Sequence, residues 1–324
     1  MAAGDPDDGE AQDPGGAGPR PDVPGAFVIS ITPFDRDGAL DEAALAAHLR
    51  RIGRAGLGVY VAGGGSGEAY SMSTDEVRRV LQVAVAELKG VVPVRGMGVE
   101  PRRADDMVRF AALAEEAGLD AVQIYSLELG HGERPVQREI RRYYDDVLSA
   151  TDLPAVLSTH MSVGYLLPVP LIADLVAEYD IAGINCTAAD MGYVRALIDA
   201  VEPAVPVHVG VPGQAFLTWA AGGSGFLTSE ANLIPETAAL VARRHRAGDH
   251  DGAIALYDRF LRIGGAMYEA GGIRANKCLL NELGLAGGYP RLPRLPVTMD
   301  DPGMADLLAW AREPEMADRE GWGR

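Results

Sequence analysis

Eight times between Ala26 and Arg244 a short apolar run gives way to a stretch whose apolar residues recur at helical spacing. The first run is Ala26–Pro33, followed by the turn Asp35-Arg-Asp-Gly38 and a helix face of Leu45, Leu49 and Ile52. The strand signal returns at Leu57–Ala62, Pro93–Met97, Asp120–Tyr125, Pro154–Ser158, Ile181–Cys186, Val205–Gly210 and Gly225–Ser229. Each of these runs leads into a helical stretch, the last from Pro235 to Arg244. Eight such alternations in about 220 residues predict a (β/α)8 TIM barrel, an α/β fold, rather than a doubly wound sheet. From Asp249 onward the pattern is helical only, with Ile254, Tyr257 and Leu261 on one face and Ala275, Leu279, Leu280 and Leu283 on another. A Pro-rich segment, Pro290–Pro296, and a short helix around Met304–Trp310 close the chain. The expected organisation is therefore a tail over 1–24, a barrel over 25–247 and a C-terminal helical extension over 248–324.

The second unit carries the most informative loop. Val61-Ala-Gly-Gly-Gly-Ser-Gly-Glu68 leads from an apolar strand into a helix opened by Ser73 and Glu76 at capping-box spacing. Val77, Val80, Leu81, Ala84 and Leu88 then mark the buried face of that helix. Glycines let a backbone approach a ligand closely, and the N–H groups of such a loop suit a carboxylate or phosphate. The same composition also makes an ordinary packing turn.

Composition narrows the class of partner. A formal charge of −17 over 324 residues argues against nucleic acid and against an anionic membrane surface. No apolar run is long enough to cross a bilayer. Residues 1–25 are rich in Asp, Pro and Gly without a signal-peptide core, and read as a disordered acidic tail. Cys186 and Cys278 alone make no disulfide framework, so a reducing cytoplasm is the expected compartment. Lysine is nearly absent, with only Lys89 and Lys277. No His, Asp and Glu spacing suggests a metal site, and no cofactor is called for.

In a barrel of this kind the chemistry sits at the C-terminal ends of the strands. Those ends carry Thr32 and Phe34; Gly63–Glu68; Gly96 and Gly98; Tyr125 and Ser126; Ser158, Thr159 and His160; Asn185 and Cys186; Gly210; and Thr228–Asn232. The mouth they form is small, polar and weakly charged.

Several of these segments resemble the dihydrodipicolinate synthase / N-acetylneuraminate lyase superfamily. Thr32-Pro-Phe-Asp-Arg-Asp-Gly38 is similar to the family's first βα segment, and Gly64-Gly-Ser-Gly-Glu68 to its Gly-Thr-Thr-Gly-Glu loop. Ala117–Ala121, Asp152-Leu-Pro154, Gly183-Ile184, Gly222–Gly225, Ala231-Asn232, Asn276-Lys277 and Arg291-Leu-Pro293 follow in the family's order. The resemblance spans roughly Ala26 to Pro296. It implies a barrel with C-terminal helices assembled as a homodimer or homotetramer. It also implies aldol or dehydration chemistry on pyruvate-like 2-oxo acids.

The departures define the mechanism to expect. Where the family places its Schiff-base lysine, in a Gly-Ile-Lys segment, this chain has Gly183-Ile184-Asn185, and an amide cannot form an imine. Ser158 stands in place of the proton-relaying tyrosine, and the substrate-carboxylate arginine falls near Val163. Of the loop's paired hydroxyls, Gly65 replaces the first and Ser66 remains. Lys89 ends an outer helix, and Lys277 matches a lysine of the family's C-terminal helices.

Four residues are then candidate catalytic groups. His160 is the histidine at a strand end and titrates near neutrality, which suits acid–base work. Tyr125 offers a phenol proton, or packs the core. Asn185 is a neutral donor able to orient a carbonyl, and Glu230 is a candidate base. Gly64, Gly65, Ser66, Ser158, Cys186 and Gly210 are the candidate substrate-binding positions. Cys186 is a weak candidate nucleophile, since strands commonly bury cysteine. The expected activity is that of a lyase of specialised metabolism acting on a small oxo or hydroxy carboxylic acid without covalent catalysis. The alternatives are a non-catalytic carboxylate-binding homologue, or a scaffold subunit of an active relative.

Overall fold

A computed structural model describes residues 23–322. Eight parallel strands close into a barrel in sequence order: β1 (Ala26–Ile29), β2 (Gly58–Gly63), β3 (Val94–Gly98), β4 (Ala121–Ile124), β5 (Ala155–His160), β6 (Ile181–Thr187), β7 (Val207–Val209) and β8 (Gly225–Thr228). The helices that follow them are α1 (Glu42–Ala55), α2 (Thr74–Leu88), α3 (Ala104–Ala117), α4 (Gln137–Leu148), α5 (Val169–Glu178), α6 (Met191–Val201), α7 (Ala215–Ala220) and α8 (Pro235–Arg246). Beyond the barrel come α9 (His250–Glu269), α10 (Ile273–Glu282), α11 (Met304–Ala311) and α12 (Pro314–Glu320). The fold is thus a (β/α)8 TIM barrel with C-terminal helices.

Alternation on the strands sorts the side chains into two cores. The outward residues, among them Val28, Val59, Val122, Leu157, Ile184 and Phe226, pack under the helices in one large cluster. The inward residues Phe27, Tyr60, Met97, Tyr125 and Leu227 form a small separate cluster inside the barrel. The rest of the interior is polar, with Arg95, Gln123, Ser158, Asn185 and His208 all buried. Alternation between faces puts residues two apart on one side, so this pattern is what pairs Arg95 with Met97 and Gln123 with Tyr125.

Three differences from the sequence expectations have local causes. β1 stops at Ile29 rather than Pro33, because Asn232 Oδ1 takes the Ile31 N–H and Phe34 turns away to bridge Leu40 and Tyr289. β5 runs two residues beyond Ser158, pairing Thr159 with Cys186 and His160 with Thr187. The helix α12 was not anticipated. Its Glu320 carboxylate is buried and accepts from the N–H groups of Glu236 and Thr237 and from Thr237 Oγ1. It thereby caps the start of α8, where Pro235 and its neighbours offer no side-chain cap of their own.

The expected tail over 1–24 falls almost wholly outside the described residues. Val23 and Pro24 are the exception, and both dock on the barrel. Arg246 Nη2 donates to the Val23 carbonyl at 2.6 Å, and His208 Nε2 lies 2.9 Å from that of Pro24. Among the described residues, no helix is long and apolar enough to cross a membrane.

Candidate active site

The Gly-rich loop is held from behind by a buried ion pair. Glu68, itself in a left-handed conformation with φ of 54°, sends its carboxylate to Lys277 Nζ at 2.5 Å. Lys277 also donates to the carbonyls of Thr32 and Tyr289, while Glu68 Oε2 accepts the Arg291 N–H. All three donors of the ammonium are consequently used. Gly67 completes the tight fold: a Cβ there would lie 2.7 Å from the nitrogen of Gly63. The result is a rigid loop that presents Gly65 and Ser66 to the barrel mouth.

Across the mouth, Ser66 Oγ is 2.6 Å from Ser229 Oγ. Asn232 anchors the Ser229 side of this pair, donating to the Ser229 carbonyl while receiving the Ile31 N–H. Beneath the two hydroxyls lies a cavity of about 180 Å³, lined by residues from every strand or strand end. Gly65, Ser66, Tyr125, Ser158, His160, Asn185 and Gly210 all reach it, so seven of the ten candidate positions converge on one space. Gly210 is close against Thr187: a Cβ there would sit 2.1 Å from Thr187 Oγ1.

The other three are placed elsewhere. Gly64 is outside the cavity wall, its N–H tied to the Gly98 carbonyl. Cys186 points into the helix layer, fully buried, and burial pushes its thiol up to about 12, which leaves no thiolate near neutrality. The Glu230 carboxylate accepts from Thr228 Oγ1 and the Ser229 N–H and does not reach the cavity. It braces the turn after β8.

Glu100 and Gln123, neither singled out from sequence, line the same cavity. Glu100, just beyond β3, is its one carboxylate, and Gln123 lies on the floor. Asn185 Nδ2 donates to Gln123 Oε1, and Tyr60 donates to Asn185 Oδ1 at a long 3.4 Å. Glu100 and His160 are joined through Ser162. The Ser162 hydroxyl donates to Glu100 Oε1 at 3.1 Å, and its N–H donates to His160 Nδ1 at 3.0 Å. With Nδ1 accepting, the proton of the neutral ring belongs on Nε2. Burial holds the His160 pKa below its ordinary value, against a smaller opposing pull from Glu100, so the ring is neutral at pH 7. The phenol of Tyr125 is likewise held protonated, chiefly by burial. Among the described residues, no group of three or more His, Cys, Asp or Glu gathers as a metal site would.

Neither lysine enters this cavity. Lys89 sits at the end of α2, paired with Asp120 and donating to the Gly118 carbonyl on the outer surface. Lys277 is sealed against Glu68.

The fold agrees with what comparison finds. The model of the dihydrodipicolinate synthetase family matches residues 22–305, nearly the whole described chain. The chain belongs to that family. Among its curated relatives in the family is the 4-hydroxy-tetrahydrodipicolinate synthase of Nitrobacter hamburgensis, 30% identical over 277 residues covering 85% of this chain and 91% of that one. The corresponding enzyme of Hyphomonas neptunium is 31% identical over 281 residues, covering 83% and 91%. A solved family structure, the Escherichia coli K12 prophage protein YagE in complex with pyruvate, superposes with a TM-score of 0.80 at 23% identity, covering 90% of this chain and 99% of that one. The names of the family and its curated relatives are those of synthases, which places the chain among enzymes of the lyase and synthase class.

Proposed function

We propose that the chain is a lyase that activates a small 2-oxo or hydroxy carboxylic acid by hydrogen bonding and acid–base chemistry, with no imine. The observation that carries this reading is the convergence of Ser66, Asn185, His160 and Glu100 on one small cavity from which both lysines are excluded. Ser66 and the adjoining glycine backbone take the substrate carboxylate. Asn185 Nδ2, with a second N–H beyond the one given to Gln123, and His160 Nε2–H face the substrate carbonyl as donors.

Glu100 is the base. It removes a proton from the carbon next to the carbonyl, and the electron pair moves onto the carbonyl oxygen as an enolate. Asn185 and His160 stabilise that charge as it develops, which is where such donors contribute most. In dehydration the enolate pair re-forms the carbonyl as the bond from the β-carbon to its hydroxyl breaks, and the carboxylic acid on Glu100 protonates that oxygen as it leaves as water. In condensation the enolate carbon bonds to the aldehyde carbon and the aldehyde oxygen takes the Glu100 proton. Tyr125, protonated throughout, donates without titrating. The small oxo acid follows the likeness in fold to YagE, solved in complex with pyruvate.

Incubation with pyruvate and borohydride, followed by intact-mass measurement, tests the mechanism. Together with calorimetric binding of pyruvate, an unchanged mass is expected. A reduced adduct on Lys277 or Lys89 would overturn it.

A further inference from the structure

The barrel interior buries a cation that the chemistry above leaves unused. Arg95 of β3 is 8% exposed and makes no ion pair among the described residues. Its guanidinium lies over the ring of Phe27 at 4.5 Å and near that of Tyr60 at 5.7 Å. Gly183 of β6 lies beside it: a Cβ there would be 3.4 Å from Nη1, an ordinary contact. An isolated buried charge is costly, and aromatic faces offset only part of that cost. An apolar side chain would fill the same place more stably.

The hydrogen bonds of Arg95 lead toward the cavity. Nη1 donates to the Tyr60 hydroxyl at 3.0 Å, and Tyr60 donates in turn to Asn185 Oδ1. Because a guanidinium only donates, the chain has one direction: Arg95 to Tyr60 to Asn185. Each bond polarises the next, so the Asn185 amide N–H groups become stronger donors. The cavity itself is lined by one carboxylate and by neither lysine nor arginine.

We propose that Arg95 is a positioning residue which supplies, through Tyr60 and Asn185, the positive charge that stabilises an enolate in the cavity. This rests on the reading of Asn185 as the carbonyl-facing donor. It goes further by assigning the origin of the electron-withdrawing field to a remote buried arginine, two hydrogen bonds behind Asn185.

The test compares two probes, pyruvate as the ground-state shape and oxalate as the planar enolate mimic. Each is titrated by calorimetry into wild type, Arg95→Met, Arg95→Lys and Tyr60→Phe, with thermal melts as the folding check. Wild type should prefer oxalate. Arg95→Met and Tyr60→Phe should lose tenfold or more of oxalate affinity but less than threefold of pyruvate affinity, and Arg95→Lys should recover most of the loss. Tyr60→Phe keeps the charge in place and breaks only the relay, so it decides the matter if Arg95→Met does not fold. An unchanged oxalate-to-pyruvate ratio in folded Tyr60→Phe would overturn the relay while leaving the lyase reading intact. Wild type that binds neither probe would overturn both.

Discussion

The carboxylate of Glu68 and the ammonium of Lys277 meet at 2.5 Å with both side chains fully shielded from solvent. The pair ties α10 to the loop that presents Ser66. It also settles what the second of only two lysines does: its donors are spent on Glu68, Thr32 and Tyr289. Lysine here holds the scaffold, and neither lysine lines the cavity.

Breaking that pair should be expensive. Lys277→Met leaves an unpaired carboxylate in a dry site, for which about 3–5 kcal/mol is the usual loss. The denaturation midpoint in urea should fall sharply, and the double variant with Glu68→Gln should recover part of the loss. A midpoint unchanged in Lys277→Met would show that the loop is held by other contacts.

The three cavity residues should separate in kinetics once a turnover assay exists. Glu100→Gln should lower kcat by about 10²–10⁴, the range for a general base, and His160→Asn by about 10²–10³, the range for one oxyanion donor. Ser66→Ala should chiefly raise KM, because a carboxylate contact is made equally in ground and transition states. Full activity in Glu100→Gln would move the base to another group.

The fold was legible in the sequence because short β-branched runs and helical stretches alternate, and each strand end could be located within a few residues. Position at a strand end picked out Tyr125 and His160, and position together with the family resemblance picked out Ser66, Ser158 and Asn185. Gln123 and Arg95 were passed over for a physical reason: whether a strand residue faces inward depends on register, while Glu100 lies in the loop beyond β3, where no periodicity shows its direction. Counting back in twos from Tyr125 would have placed Gln123 on the same inner face, and from Met97 would have placed Arg95 there. Glu230 misled because a carboxylate at a strand end looks the same in sequence whether it faces the cavity or, as here, caps the turn behind it.

Two buried rings should make stability depend on pH. Burial, assisted by Arg51, pushes His48 down to about 3, and burial pushes His208 down to about 4, from an ordinary 6.5. Below 6.5 the unfolded chain binds protons that the folded chain refuses, so this contribution is complete above pH 6.5 and is lost as pH falls toward 4. The slope is up to about 1.4 kcal/mol per pH unit for each ring. Protonation of the many acids relieves repulsion over part of the same range, so the effect is read as a difference between proteins. Urea midpoints from pH 7 to pH 5 should fall less steeply in His208→Gln than in wild type. Parallel profiles would contradict the assignment.

Family members with this barrel and helical extension are expected to associate, and light scattering should give a homodimer or homotetramer. A monomer at micromolar concentration would exclude that assembly.

A crystal soaked with pyruvate at a concentration that saturates calorimetric binding tests the central claim most directly. The account predicts an intact ligand in the cavity beneath Ser66 and Ser229, its carboxylate on Ser66, its carbonyl oxygen on Asn185 Nδ2 and its methyl carbon facing Glu100. Density continuous with a lysine Nζ, or pyruvate bound away from Asn185, would contradict it.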